Sequence, residues 1–228
     1  MNVIVPIAGP DYFSNGKAKG LRLNNGEPIL WQTLTSRPWH NDDTRYIFVI
    51  LDGELAREFA ELYLRKWFIN SSFVFLSEAT KGAALSSLSA ISIIKDFNSP
   101  LIVDLGDIGF YTKLNIENLF LNNKECGGIA LSFYSSNPIY SYFYCQDNSD
   151  FVQQAIEKKV ISNHASAGTY IFRNSRVFLK AVSHSLEFPH LNTHDNLFYV
   201  CPLFNGVIAA GYSVQRVEIE SIIDFKYI

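Results

Sequence analysis

The stretch Pro100 to Phe110, PLIVDLGDIGF, most constrains what this chain can fold into. Leu101, Ile102 and Val103, with Leu105 following Asp104, make an apolar run one strand long. Such a run belongs to a strand buried on both faces, as in a parallel sheet covered by helices. Asp107 then stands between Gly106 and Gly109, where that strand runs out. In open α/β sheets, ligands collect at the carboxyl ends of strands. A carboxylate there can hold a divalent metal against phosphate oxygens. Asp and Gly are also ordinary turn residues, so the stretch alone leaves a plain turn open.

The preceding chain alternates in the same sense. Asn2–Ala8 reads as a first strand, broken at Gly9-Pro10. Asp11–Gly26 is a polar, turn-rich loop with Asn15-Gly16, Gly20 and Asn25-Gly26, and it carries Lys17, Lys19 and Arg22. A basic, glycine-bearing loop after a strand suits an anion such as a nucleoside triphosphate; a mobile solvated loop fits the same composition. A helix from Pro28 to Thr35 and a strand from Tyr46 to Leu51 follow. Gly53–Trp67 predicts an amphipathic helix with Leu55, Phe59, Leu62 and Lys66 on one face. Phe73–Leu76 is a strand and Ala83–Ile94 a helix. This alternation predicts a mostly parallel sheet with helices on both faces.

The second half changes character. Strands are predicted at Gly128–Tyr134, Tyr140–Cys145, Ser166–Phe172 and Val214–Ile219. Helices are predicted at Ser175–Ser185, Asn196–Ala209 and Ser221–Ile228. Hairpin-like strands after a parallel layer imply a mixed sheet, the second half forming a lid over the carboxyl edge of the first. No linker or repeat divides the chain, so residues 1–228 form one domain.

Composition excludes several classes. With 48% hydrophobic and 18% charged residues, the chain is not disordered. A net charge of -3 offers no general attraction to a nucleic acid polymer or an anionic membrane. No apolar run reaches the roughly 18 residues of a membrane span, and MNVIVPIAG lacks a basic leader and a cleavage site. Cys126, Cys145 and Cys201 are too few and too scattered for a disulfide framework or a zinc cluster. These features point to a cytoplasmic protein with reduced thiols. The 18 Phe and 12 Tyr leave room for an apolar oligomer interface.

Seven stretches line up in one order: NVIVPIAG, KGLRLNNGEPIL, TKGAAL, PLIVDLGD, EKKVISNHASAGTYIF, NLFYVCPLFN and VEIESIIDF. The series resembles the sugar-phosphate nucleotidyltransferases, the nucleotide-diphospho-sugar pyrophosphorylases of bacterial surface-polysaccharide pathways. It also resembles the phosphocholine-type cytidylyltransferases. The resemblance covers nearly the whole chain. It implies a Rossmann-like mixed α/β sheet of the nucleotide-diphospho-sugar transferase type. Residues up to about 110 would form the nucleotide-binding half and those from about 111 the acceptor-binding half. The implied reaction is attack by an acceptor phosphate on the α-phosphorus of a nucleoside triphosphate, with Mg2+ bridging the phosphates and pyrophosphate leaving.

Residue by residue, the resemblance makes Asp107 the metal-binding aspartate and Lys19 the lysine that neutralises the triphosphate. Ala8, Gly9 and Gly82 match the backbone lying against the base, where a missing side chain lets a base approach. Glu157 and Lys158 match the pair that binds the acceptor and its phosphate, and Gly168 the glycine lining that pocket. Lys158 would meet the phosphate as a point charge. The residues alone also allow a solvated helix end at Glu157-Lys158-Lys159, a plain loop charge at Lys81, a structural His164 and a core Cys201.

Four departures stand out. Gly9-Pro10-Asp11-Tyr12-Phe13-Ser14 replaces the expected Gly-x-Gly-x-Arg-like loop, so a backbone donor is lost and a negative charge added. Gly20 stands where the resemblance expects Pro, and Asp104-Leu105 where it expects small or amide residues. Near the end, Val217-Glu218-Ile219-Glu220-Ser221 takes the place of the second acidic metal ligand, which assigns Glu220 to the metal, with Glu218 beside it. Two functions follow: an active nucleotidyltransferase with a rebuilt triphosphate loop, in which Arg22 or Lys17 compensates, or a degenerate relative that binds a nucleotide or nucleotide sugar without turnover. A metal-dependent glycosyltransferase would need an Asp-x-Asp motif, and Asp104 and Asp107 are spaced too widely.

Overall fold

The computed structural model describes residues 1–14 and 16–225. Asn15 of the first turn and residues 226–228 of the expected terminal helix lie outside the described residues. The first half alternates strands and helices. Strand β1 (Asn2–Ile7) leads through the basic loop to helix α1 (Ile29–Thr35), then β2 (Arg45–Leu51). Helix α2 (Glu54–Phe59) continues through a π turn (Ala60–Leu64) into a last α-turn (Arg65–Trp67). Then come β3 (Ser71–Leu76), α3 (Ala83–Ser89) and β4 (Leu101–Asp104). After a tight turn the chain forms β5 (Ile108–Tyr111) and α4 (Ile116–Asn122).

The second half supplies β6 (Cys126–Tyr134), β7 (Tyr142–Cys145), β8 (Val152–Ile156) and β9 (His164–Phe172). Helices α5 (Ser175–Glu187) and α6 (Leu203–Ala209) precede β10 (Ser213–Glu218) and β11 (Ser221–Asp224). Among the described residues, one nine-stranded sheet runs β8-β7-β9-β4-β1-β2-β3, with β6 paired to β9 and to β10. Strands β4, β1, β2 and β3 are parallel, and β9 joins β4 antiparallel. The second half therefore extends the same sheet and does not form a separate lid.

The period of two along each central strand divides the core. From β1, Val3, Val5 and Ile7 enter one cluster and Ile4 the other, joined by Ala8 just past the strand. From β2, Tyr46, Phe48 and Ile50 face one side and Ile47 and Val49 the other. Each buried side chain of this size contributes about 1.5–3 kcal/mol over exposure. Both faces being covered is what the unbroken apolar runs required.

Three readings are corrected. In the helix after Gly53, the inward face is Ala56, Phe59, Ala60 and Leu64, while Leu55 and Leu62 are exposed. Small residues let the helix approach the sheet, and the π turn shifts the repeat. The expected helix over Asn196–Ala209 begins only at Leu203. Before it, Asp195 and Asn196 take positive φ (50° and 58°) in a hairpin pairing Thr193-His194 with Leu197-Phe198, a turn that Asp and Asn tolerate. Ser221–Asp224 is a strand along β5, not a helix; its β-branched Ile222 and Ile223 suit that ladder.

Helices α5 and α6 pack through Gly206. A Cβ there would stand 2.7 Å from the Ala181 carbonyl oxygen and 2.8 Å from Ala181 Cα. We expect Gly206→Ala to lower stability by about 1–3 kcal/mol in urea unfolding, although alanine favours a helix. A gain in stability would contradict this close packing.

Candidate active site

Two clefts open at the carboxyl ends of β1 and β4. The larger, about 500 Å³, is lined by Gly9, Tyr12, Lys19, Arg22, Asp107 and neighbours. The smaller, about 210 Å³, is lined by Ser141, Glu157, Lys158, Gly168, Tyr199 and again Asp107. Leu105, Asp107 and Ile139 line both, so Asp107 is the charged side chain common to the two. The clefts are halves of one groove that meet at the end of the central strand.

The turn carrying Asp107 is built from beneath. Asp104 ends β4 with its side chain fully buried. Arg37, just past α1, donates Nε–H to Asp104 Oδ2 at 2.7 Å and Nη2–H to Oδ1 at 3.1 Å. The same Nη2 donates to the Ile108 carbonyl at 2.9 Å, and the guanidinium carbon lies 3.7 Å from the Phe110 ring centre. Gly106 N–H donates to Asp104 Oδ1 at 3.0 Å, and Leu105 N–H to the Gly168 carbonyl at 3.0 Å. Asp104, out of place in the sequence comparison, is thus the partner of a buried arginine. Gly168, at φ 72°, gives Asp107 its space: a Cβ would meet Asp107 Oδ1 at 2.8 Å.

The basic loop is rebuilt around Tyr12. A turn closes from Tyr12 N–H to the Gly9 carbonyl at 3.0 Å, and Lys19 N–H bonds the Tyr12 carbonyl at 2.9 Å. A Cβ on Gly20 would lie 2.4 Å from the Tyr12 hydroxyl and 2.9 Å from Leu30 Cβ. Proline at position 20 would not fit, so Gly20 and Tyr12 are coupled departures. The Lys19 ammonium pairs with Asp11, holding that carboxyl below the usual range. The loop thus neutralises the charge that its sequence seemed to turn against phosphate. Arg22 lines the large cleft, whereas Lys17 lines a different groove.

In the small cleft, Ser141 donates its hydroxyl to Glu157. Lys158 takes a left-handed backbone (φ 50°) and sets its ammonium 3.4 Å from the Tyr199 hydroxyl and 5.2 Å from the ring centre. That backbone costs of order 1–3 kcal/mol, a strain that aims Lys158 at the cleft. Behind them Ser166 donates to the Tyr170 hydroxyl at 3.0 Å. Burial, then the Glu157 charge, holds the Cys201 thiol well above its ordinary pKa, and burial does the same to Tyr170. Cys201 is a core thiol, and Cys126, Cys145 and Cys201 are all free.

Other expected residues are placed elsewhere. Ala8 is buried behind the large cleft. Gly82, at φ 108°, lines neither cleft; a Cβ there would meet the Phe198 carbonyl at 2.4 Å, so the hairpin explains the glycine. His164 lines neither cleft, and Glu218 pairs with Arg216. Glu220 sits beyond Tyr111, beside Lys113, at the far end of the four-residue β5. That strand spans roughly 10 Å, so the structure does not bring Glu220 and Asp107 to one ion. The register instead sets Asp224 opposite Ile108, next to Asp107.

The fold has close counterparts. A nucleoside-diphosphate-sugar pyrophosphorylase from Vibrio cholerae RC9 superimposes with TM-score 0.82 at 18% identity, covering 98% of this chain and 95% of that one. UDP-glucose pyrophosphorylase complexed with UDP-glucose gives 0.68 at 14% identity, covering 98% and 92%. The inositol-1-phosphate CTP transferase from T. maritima gives 0.67 at 12%, covering 95% and 84%. No family model and no curated protein sequence matches. The chain therefore has the Rossmann-like mixed α/β fold of the nucleotide-diphospho-sugar nucleotidyltransferases, as its motifs implied.

A double-mutant cycle tests the rebuilt loop. Gly20→Ala should destabilise the protein by about 1–3 kcal/mol, and the penalty should at least halve in a Tyr12→Ala background. Additive effects in urea unfolding would separate the two residues.

Proposed function

We propose that this chain is a nucleotidyltransferase that joins the nucleoside monophosphate of a triphosphate to a small phosphorylated acceptor and releases pyrophosphate. The carrying observation is the meeting of the two clefts at Asp107. A transfer between two phosphorylated ligands needs two adjoining sites and an anchor for charge where they touch. The donor set suits Mg2+, which takes one or two carboxylates plus substrate phosphates and keeps several waters. Among the described residues no cluster of three acidic, histidine or cysteine side chains could hold a metal alone. Asp107, at the junction of the two clefts, would hold such an ion together with the triphosphate oxygens. When bound, the ion would neutralise charge developing on the phosphates.

The chain's own residues take the remaining work. Gly9 and its turn border the nucleotide, with Ala8 behind. Arg22, and Lys19 once it exchanges Asp11 for a phosphate, neutralise the triphosphate. Gly82 sets the start of α3 against the hairpin, indirectly shaping the base side. Lys158 meets the acceptor phosphate, Glu157 accepts from acceptor hydroxyls, and Gly168 keeps room for Asp107. An acceptor oxygen then attacks the α-phosphorus as the bond to the β-phosphate oxygen breaks. We extend this reading, on the motif resemblance alone, to the cytoplasmic supply of activated precursors for bacterial surface polysaccharide. The Lys19–Asp11 pair favours a second reading, a nucleotide or nucleotide-sugar binder without turnover.

Pyrophosphate release decides between them. The protein would be given each nucleoside triphosphate, Mg2+ and a panel of sugar 1-phosphates, phosphocholine and other phosphorylated small molecules. We expect release with one pair, a fall of at least about a hundredfold for Asp107→Asn and an unchanged melting temperature. Lys158→Ala should raise the acceptor KM by about ten- to a hundredfold while the nucleotide KM stays put. Thermal shifts without release would establish the binder.

A further inference from the structure

We infer that Arg37 is a positioning residue for the metal-binding carboxylate, acting from outside both clefts. The inference rests on the proposed reaction. Arg37 touches neither cleft. Its side chain is 1% exposed and that of Asp104 is fully buried. One guanidinium grips both ends of the turn that carries Asp107: the Asp104 carboxylate before it and the Ile108 carbonyl after it. The ring of Phe110 closes its other face. A planar fork can span those two acceptors at once, and an ammonium cannot. Between the grip points, Gly106 bonds back to Asp104 and Leu105 to Gly168, so the peptides of the turn are tied on both sides. Asp107 is then the residue left facing the clefts.

Arg37 also separates two carboxylates. Asp104 and Asp107 lie three residues apart near one metal position. Pairing with Arg37 removes the charge of Asp104 from that field, so that Asp107 presents its carboxylate as a single anchor. The arginine acts twice, on the geometry of the turn and on the number of negative charges that meet the ion.

A half-buried arginine provides the control. Arg45, at the start of β2, donates to the Ile93 carbonyl at 2.9 Å and to Ser72 Oγ at 3.1 Å. It lies at the end of the sheet away from the clefts. Its loss should reduce stability without touching the metal.

The experiment is Mn2+ binding, read by the paramagnetic signal of free ion, in the full chain with a nucleoside triphosphate present. Arg37→Lys keeps the charge and loses the span. We expect its Mn2+ dissociation constant to rise at least tenfold, and the metal for half-maximal turnover to rise with it, while the acceptor KM holds. Arg45→Lys should lower the melting temperature and leave Mn2+ binding within twofold. If Arg37→Lys fails to fold, Asp104→Asn, which keeps an acceptor for Arg37, should show the same weakening. Unchanged Mn2+ binding in a folded Arg37 or Asp104 variant that turns over overturns the positioning role alone. Binding that weakens as expected without turnover by any pair overturns the reaction and leaves the role intact. No Mn2+ binding by the unaltered protein overturns both.

Discussion

The buried ion pair between Arg37 and Asp104 is the constraint on which the rest of the groove depends. Removing two charges from water is expensive, and their attraction repays it only when geometry and extra hydrogen bonds are good. Here the geometry is bidentate and further hydrogen bonds are made on both sides, while Arg37 Nη1 stays buried without a hydrogen-bond partner. The carboxylate accepts two guanidinium hydrogens and one from Gly106, and the guanidinium also serves Ile108 and Phe110. A pair of this kind contributes little net stability over an apolar substitute, yet loss of one partner strands a buried charge at a cost of about 3–5 kcal/mol. What it adds is attachment: it fastens the chain between β4 and β5 at both ends. The parallel core supplies the rigid frame, and the pair turns the end of the central strand into a fixed ledge.

From that ledge the two clefts take their shapes. The larger is lined by Gly9 and by Tyr12, Lys19, Gly20 and Arg22 of the loop that follows. That loop shows how a cleft-lining segment can change several residues together. Tyr12 fills the space that a smaller residue would leave, Gly20 yields to it, and Lys19 meets the acid at position 11. The smaller cleft relies on a strained residue, Lys158, and on a buried layer of Ser141, Ser166, Tyr170 and Cys201 behind Glu157. Strain of this kind persists only where surrounding structure over-determines it, and the β7–β8 hairpin and β9 provide that surrounding.

Much of the fold was legible because buried parallel strands announce themselves. The runs at Val3, Tyr46 and Leu101 have no polar alternation, and each became a central strand. The position of Asp107 followed from the same logic, since a residue just past such a strand falls on the carboxyl edge. The role of Asp104 was not legible. Its partner Arg37 lies far away in the sequence, and no local pattern joins them. Nor was the last strand, because Ile222-Ile223-Asp224 reads equally well as helix or strand until β5 is present to pair with it. The assignment of Glu220 came from the motif resemblance, and the pairing of Ser221 with Tyr111 sets that residue at the end of β5 away from Asp107. Gly82 and Gly20 were visible as glycines, but the atoms that require them, the Phe198 carbonyl and the Tyr12 hydroxyl, are set by tertiary contacts.

The most direct measurement is a crystal structure of the protein grown with Mn2+ and a non-hydrolysable nucleoside triphosphate, using the anomalous signal of the metal. The account predicts one strong peak within about 2.2 Å of an Asp107 carboxylate oxygen, with the triphosphate in the larger cleft and its α-phosphate at the junction with the smaller one. A metal bound away from Asp107, or a nucleotide seated in the smaller cleft, would contradict it.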